Sequence, residues 1–425
     1  MKRSLLLLML PMSVGVFAQD QDLQTAYRDV APKVIEWRRD IHQHPELSNR
    51  EFKTAEKIAN HLKALGIEVQ TGVAHTGVVG LLKGSQAGKV VALRADIDAL
   101  PVIERNELPF RSEVTSEFLG EKVGVMHACG HDTHTAILMG VAEVLAQNKD
   151  KIKGTVKFIF QPAEEGPPPG EEGGALLMIR EGVLKNPDVE AIFGLHINSQ
   201  TPVGVIRYKS GSTMAAAQSF TIKVKGKQSH GSQPWSGVDP ILISAKIIDG
   251  LQTIISREAN LTKEAAVITV GKIKSGVRFN IIPESAEMIG TIRTLDYGMK
   301  DLINRRMMEM VPAIAKAYGG EASIEIKDAT DITFNDPELV SLMIPTLKRV
   351  AGDENIQTQK AITGAEDFSY FQREVPGFFF FLGGMTPGNE ESFPHHTPDF
   401  RIDEAGLMLG VKALTELSLD YLNKS

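Results

Sequence analysis

Apolar residues recur at helical spacing over residues 25–42, where Val30, Val34, Trp37 and Ile41 share one face. The same period runs over 52–65 and stops at Gly66, a helix-ending signal. Short apolar runs at 67–69, 77–82 and 89–95 then predict strands. A helical pattern follows over 135–145, an apolar strand over 155–160, a helix over 175–184 and another apolar strand over 191–195. Strands that are apolar throughout belong in a sheet covered on both faces. The alternation predicts an α/β fold, a mixed β-sheet flanked by helices.

The rhythm changes over 214–328. Strands at 220–224, 266–270, 286–293 and 322–326, with helices at 240–255 and 299–318, read as β-α-β-β-α-β, a ferredoxin-like α+β layout. A helix over 336–350, a buried strand over 378–382 and an amphipathic helix over 404–422 then resume the first pattern. The expected domains are therefore a discontinuous one, 19–213 with 329–425, and an insert, 214–328.

Composition adds more to the setting than to the fold. The 425 residues are 42% hydrophobic and 23% charged, with a formal net charge of −7. Such values belong to an ordinary globular chain, and the lack of a basic stripe argues against a nucleic-acid binder. At the N-terminus Lys2 and Arg3 precede an apolar run over 5–10, which Val14 to Phe17 continues as far as Ala18. This pattern predicts a signal peptide over 1–18 and a mature protein that is periplasmic or secreted. Pro11 and Ser13 interrupt a run too short to span a membrane. In an exported protein the lone Cys129 cannot close an internal disulfide, so it is either buried and inert or occupied by a metal.

Cys129 lies in the segment MHACGHDTHT at 126–135, beside His127, His131 and His134. If the segment is extended, Cys129 and His131 point the same way, and a thiolate and an imidazole can share one zinc-like cation. Asp98, the pair Glu164 and Glu165, and His196 each follow an apolar strand. Ligands of open α/β sheets gather beyond the strand carboxyl ends. His395 and His396 follow the strand over 378–382. One catalytic zinc uses three or four protein donors, so this larger set fits two neighbouring ions better. The consecutive Glu164 and Glu165 would point to opposite faces of a regular strand, so the chain must turn there for both to serve one site.

These segments, taken in order, resemble the metal-dependent N-acyl-amino-acid amidohydrolases. That metallopeptidase family includes hippurate hydrolases and auxin-conjugate hydrolases and is related to glutamate carboxypeptidases and aminoacylases. The matching stretches are RRDIHQHPE at 38–46, RADIDALP at 94–101, MHACGHDTHT at 126–135, QPAEE at 161–165 and GLH at 194–196. They continue as GKQSH at 226–230, NIIP at 280–283, GTIR at 290–293, GAEDF at 364–368 and HTP at 396–398.

The resemblance implies an amide hydrolase acting on small N-acyl amino acids. It implies two divalent ions, zinc or manganese with cobalt or nickel also fitting, on Cys129, His131, Glu165, His196 and His396. Glu164 would be the catalytic base and Asp98 an acid that orients a ligand. The insert would be a lid and dimerisation domain, with His230 reaching the substrate across a homodimer and Asn280 and Arg293 contacting it. His42 and His44 read as structural residues, and His61 and His75 as surface ones. His127 and His134 fit equally as partners of ligands or as packing groups, and Arg293 equally as a core ion-pair residue. A metallo-carboxypeptidase or dipeptidase, and a catalytically silent metal-loaded binding protein, are the rival readings.

Overall fold

The structure, a computed structural model, describes residues 14–388 and 393–424. Residues 1–13 of the expected signal peptide lie outside them. No helix among the described residues is long and apolar enough to cross a membrane. The chain divides into two compact units. One comprises Met1–Arg207, Ser341–Gln357 and Phe379–Ser425, the other Tyr208–Val340 and Thr358–Phe378.

The first unit is built on an eight-stranded mixed sheet. Its order is Glu68–Val73, Gly77–Lys83, Lys153–Gln161, Gln86–Asp96, Ala191–Pro202, Gly377–Met385, Ile206–Tyr208 and Ile356–Thr358. The central three, Lys153–Gln161, Gln86–Asp96 and Ala191–Pro202, run parallel. Their apolar runs, including Val91, Leu93, Phe158, Phe160 and Phe193, are buried, as a sheet covered on both faces requires.

The helix His131–Gln147 packs on the Gln86–Asp96 strand and on the helices Val14–Gln43 and Leu407–Asn423. Every residue from His131 to Leu145 is buried, so this helix has no solvent face and needs none of the usual amphipathic striping. Its neighbours come close at Gly140, where a Cβ would meet Val34 Cγ2 at 2.7 Å. The helix begins four residues before the 135 that apolar periodicity predicts. The polar first turn, His131 to His134, is turned inward and reads as loop in the sequence.

In the second unit a four-stranded antiparallel sheet has the order Ala266–Ser275, Ser285–Thr294, Ala216–Lys225 and Glu321–Thr330. In chain order that is 2-3-1-4, the layout of a ferredoxin-like unit. The helices Pro240–Thr253 and Tyr297–Ala317 supply Ile243, Ile247, Leu251, Ile303, Met307 and Val311 to a core completed by Phe220, Ile222, Met288 and Ile292. Each such side chain, fully buried, contributes about 1.5–3 kcal/mol. Asp239 caps the first helix through Ile241 N and Leu242 N, and Asp296 caps the second through Met299 N.

Candidate metal centre

The three central parallel strands converge on one set of side chains in the first unit. Gln86–Asp96 ends at Asp96 and leads to Asp98, both fully enclosed. Lys153–Gln161 leads into Glu164 and Glu165, and Ala191–Pro202 carries His196. His196 lies inside its strand, which runs past the end expected at 195 to Pro202. The loop before the helix His131–Gln147 brings Cys129, and the loop after Gly377–Met385 brings His395 and His396.

Cys129 and His131 are not in an extended segment. Gly130, at φ +96, caps the helix between them, and a Cβ there would meet Ile197 Cγ2 at 2.3 Å. A left-handed turn that only glycine fits therefore brings thiol and imidazole together. A second turn does the same for the glutamates. Ala163 sits at φ +52 and Gly166 at φ +103, and both carboxylates come near His131 Nε2, Glu164 at 3.9 Å and Glu165 at 4.0 Å.

The ring orientations leave particular nitrogens for a ligand. His131 Nδ1 donates to the Asp98 carbonyl at 3.0 Å and faces its carboxylate at 3.2 Å. His131 Nε2 is then buried with no hydrogen-bond partner. His196 Nδ1 donates to the Ile197 carbonyl at 2.6 Å, and its Nε2 stands 3.4 Å from Cys129 Sγ. His396 Nε2 is 3.2 Å from the same sulfur and 3.1 Å from Glu165 Oε1. Donor atoms of Cys129, His131 and His196 lie within 4.8 Å of one another, as do those of Cys129, Glu165 and His396. The sulfur is common to both triads.

Most neighbouring histidines are spoken for, although both ring nitrogens of His127 are buried without a hydrogen-bond partner. His134 Nδ1 donates to Asp96 Oδ1 at 2.6 Å, and its Nε2 accepts from Ile197 N at 2.8 Å. His395 Nδ1 donates to the Cys129 carbonyl at 3.1 Å and its Nε2 accepts from Ser199 N at 3.3 Å. His42 lies between Asp132 at 2.8 Å and Glu104 at 3.2 Å, and Arg38 closes on Asp132 at 2.9 Å. His61, expected at the surface, is partly buried against Trp37 and donates to the Met139 carbonyl at 3.0 Å.

The electrostatics call for a cation. Burial opposes a charge on His131, yet Asp96, Asp98 and Glu165 outweigh it and raise its pKa to about 10. Burial and the Glu165 and Glu164 carboxylates push the Cys129 thiol well above its ordinary range. Burial and neighbouring histidines push His196 well down. A buried imidazole nitrogen without a partner, beside a thiol and carboxylates within reach of one another, is a donor arrangement suited to a cation. The donor set fits divalent metal.

The sequence profile of Peptidase family M20/M25/M40 matches residues 92–420. The chain belongs to that family. It is 40% identical over 406 residues, 95% of this chain and 99% of the relative, to thermostable carboxypeptidase 2 of Saccharolobus solfataricus. It is 38% identical over 391 residues, 92% of this chain and 97% of the relative, to the N-acetylcysteine deacetylase of Bacillus subtilis. Among solved structures it resembles the YXEP protein of Bacillus subtilis, described as a dinuclear metal-binding peptidase of the M20 family. That match has a TM-score of 0.78 at 36% identity and covers 94% of this chain and 100% of the other.

In this M20 chain the remaining expected site residues lie in the second unit. His230 is exposed on a short ladder, paired with Ile281, and its Nδ1 accepts from Ser232 N at 3.1 Å. Asn280 adjoins it, its carbonyl accepting from Gly231 N at 2.8 Å while its buried Oδ1 has no partner. Arg293 is partly buried on the Ser285–Thr294 strand, where burial lowers its pKa. Sequence reasoning missed Ser48 and Glu51. Ser48 donates to Asp98 at 2.7 Å and Glu51 is wholly enclosed. Nothing in the sequence sets Glu51 apart, since it stands among the polar residues Asn49, Arg50 and Lys53.

Proposed function

We propose that this protein hydrolyses the amide bond of N-acyl or N-aroyl amino acids, giving a carboxylic acid and an amino acid. The observation that carries this is the turn at Ala163, which places two consecutive carboxylates beside His131 Nε2 in a buried donor set. A binding site for ions alone has no use for the second carboxylate. Relatives named N-acetylcysteine deacetylase and IAA-amino acid hydrolase support the substrate class.

In this reading Cys129, His131, Glu165, His196 and His396 would hold two divalent ions, the Cys129 sulfur being common to both triads. Zinc and manganese suit the mixed donors best, and cobalt or nickel also fit. When bound, such ions supply Lewis-acid polarisation of the scissile carbonyl and make water more acidic. Glu164 takes the proton of the attacking water and returns it to the leaving nitrogen. Asp98 holds the His131 tautomer by accepting from Nδ1, which keeps Nε2 directed into the site.

The same reading makes the second unit a lid and dimerisation domain, with His230, Asn280 and Arg293 touching substrate. Exposed apolar residues there support a homodimer: Val277 is 95% exposed, Phe279 94% and Trp235 79%. The signal-peptide pattern over 1–18 supports export to the periplasm or beyond.

A carboxypeptidase reading is favoured by the Saccharolobus relative's name. Both reactions break the amide on the nitrogen of a terminal amino acid, so the acyl side decides between them. A hydrolysis screen tests this, setting N-acetyl, N-benzoyl and long-chain N-acyl amino acids against dipeptides, each with zinc, manganese, cobalt and nickel. Turnover concentrated on the blocked amino acids is expected. Preference for free-amine dipeptides would replace the first reading with the second.

A further inference from the structure

Glu51 lies outside the stretch matched by the family profile and far in sequence from every proposed ligand. It is 0% exposed, and its carboxylate meets the turn that precedes Glu164 and Glu165. Oε1 accepts from Ala163 N at 3.0 Å, and Oε2 lies 2.5 Å from Thr76 Oγ1. Glu51 stands at the N-cap position of the helix Phe52–Ala64, but its side chain makes no capping hydrogen bond. The ordinary structural use of an acid at a helix start therefore does not account for it.

Ala163 is the residue it holds, and Ala163 is at φ +52, a conformation that alanine adopts only where surroundings impose it. Two residues on, Glu165 N donates to Asp98 Oδ2 at 3.1 Å, and Asp98 accepts in turn from Ser48 at 2.7 Å. The turn is thus pinned at both ends, and both pins trace back to the segment 48–51. We propose that Glu51 is a positioning residue: by accepting from the Ala163 amide it fixes the turn that directs Glu164 and Glu165 to one site.

Burial, with Asp98 adding to it, raises the Glu51 pKa to about 8. The Ala163 amide needs an acceptor oxygen at this reach, which a neutral and a charged carboxyl supply alike. This inference rests on the roles assigned above to Glu164 and Glu165.

Two substitutions separate reach from charge. Glu51→Gln keeps the length and an acceptor oxygen but has no charge. Glu51→Asp keeps the carboxyl group but is one methylene too short to reach Ala163 N. Hydrogen exchange of the peptide over 160–166 is followed in the metal-free protein, beside melting temperature, ion content, kcat and KM. Glu51→Gln should match wild type in exchange and in kcat. Glu51→Asp should exchange faster and lose about tenfold or more in kcat at saturating metal, with KM little changed. Impairment of Glu51→Gln, or wild-type exchange in Glu51→Asp, overturns the proposal. If wild type turns over no acylated amino acid, the proposed reaction has failed, while the exchange comparison still decides the part played by Glu51.

Discussion

His134 donates a hydrogen bond from Nδ1 to Asp96 at 2.6 Å and accepts one from Ile197 N on Nε2, so a histidine three residues from His131 has no nitrogen left for a cation. Asp96 is itself held by Arg94 at 2.6 Å, and Arg94 by Gln161 at 2.8 Å. The cluster of Asp96, His131 and His134 thus contains a fixed frame and one available donor. We expect His134→Gln to lower the melting temperature, since a lost buried hydrogen bond costs about 1–3 kcal/mol. Its ion content should remain that of wild type, whereas His131→Gln should lose metal. Elemental analysis beside calorimetry checks this, and loss of an ion from His134→Gln at unchanged stability would count against it.

Glu164→Gln should keep both ions and the fold while kcat falls by about 10²–10⁴-fold, the usual worth of a positioned base. Elemental analysis and steady-state kinetics on one preparation measure both quantities. Should the variant lose metal, Glu164 is a ligand and the two glutamates exchange roles.

Cys129 gives a pH dependence with a definite sign. Its thiol pKa is raised by burial and by Glu165 and Glu164, yet it must be a thiolate to bind metal. Ion uptake therefore expels its proton, and affinity should rise with pH across the neutral range. Calorimetric titration in buffers of different ionisation enthalpy counts that proton. Cys129→Ser should bind more weakly and with a flatter pH slope. Equal slopes in the two proteins would remove Cys129 from the ligand set.

His230 is exposed and far in sequence from the ligands, which suits a residue donated across a dimer. On the proposed homodimer, Glu164→Gln and His230→Ala proteins, each inactive, should regain about a quarter of wild-type activity once subunits exchange. Half of the dimers are then mixed, and each carries one site with both a base and a histidine. Proven exchange without recovery would confine His230 to its own chain.

Much of this was legible from residue order. Parallel central strands, the ferredoxin-like insert and the gathering of donors at strand ends follow from apolar runs and the polar residues that end them. What pattern could not supply was the direction of each side chain. Cys129 and His131 meet through the left-handed Gly130 and not through strand alternation, and Glu164 and Glu165 converge because Ala163 is left-handed too. Apolar periodicity is blind to both, although the two consecutive carboxylates already called for a turn near them. It was equally blind to Glu51, whose significance depends on contact with a residue more than a hundred positions away.

The helix that begins at His131 is enclosed along nearly all its length, packed against three other helices and the sheet. A donor on its first turn cannot swing aside by local fraying, because that turn is interior. Uncoupling His131 from an ion thus means loosening the helix within the domain, an event on the scale of unfolding. Bound metal should then act as a brake on unfolding, and stripping it by chelator should be slow and sharply temperature-dependent.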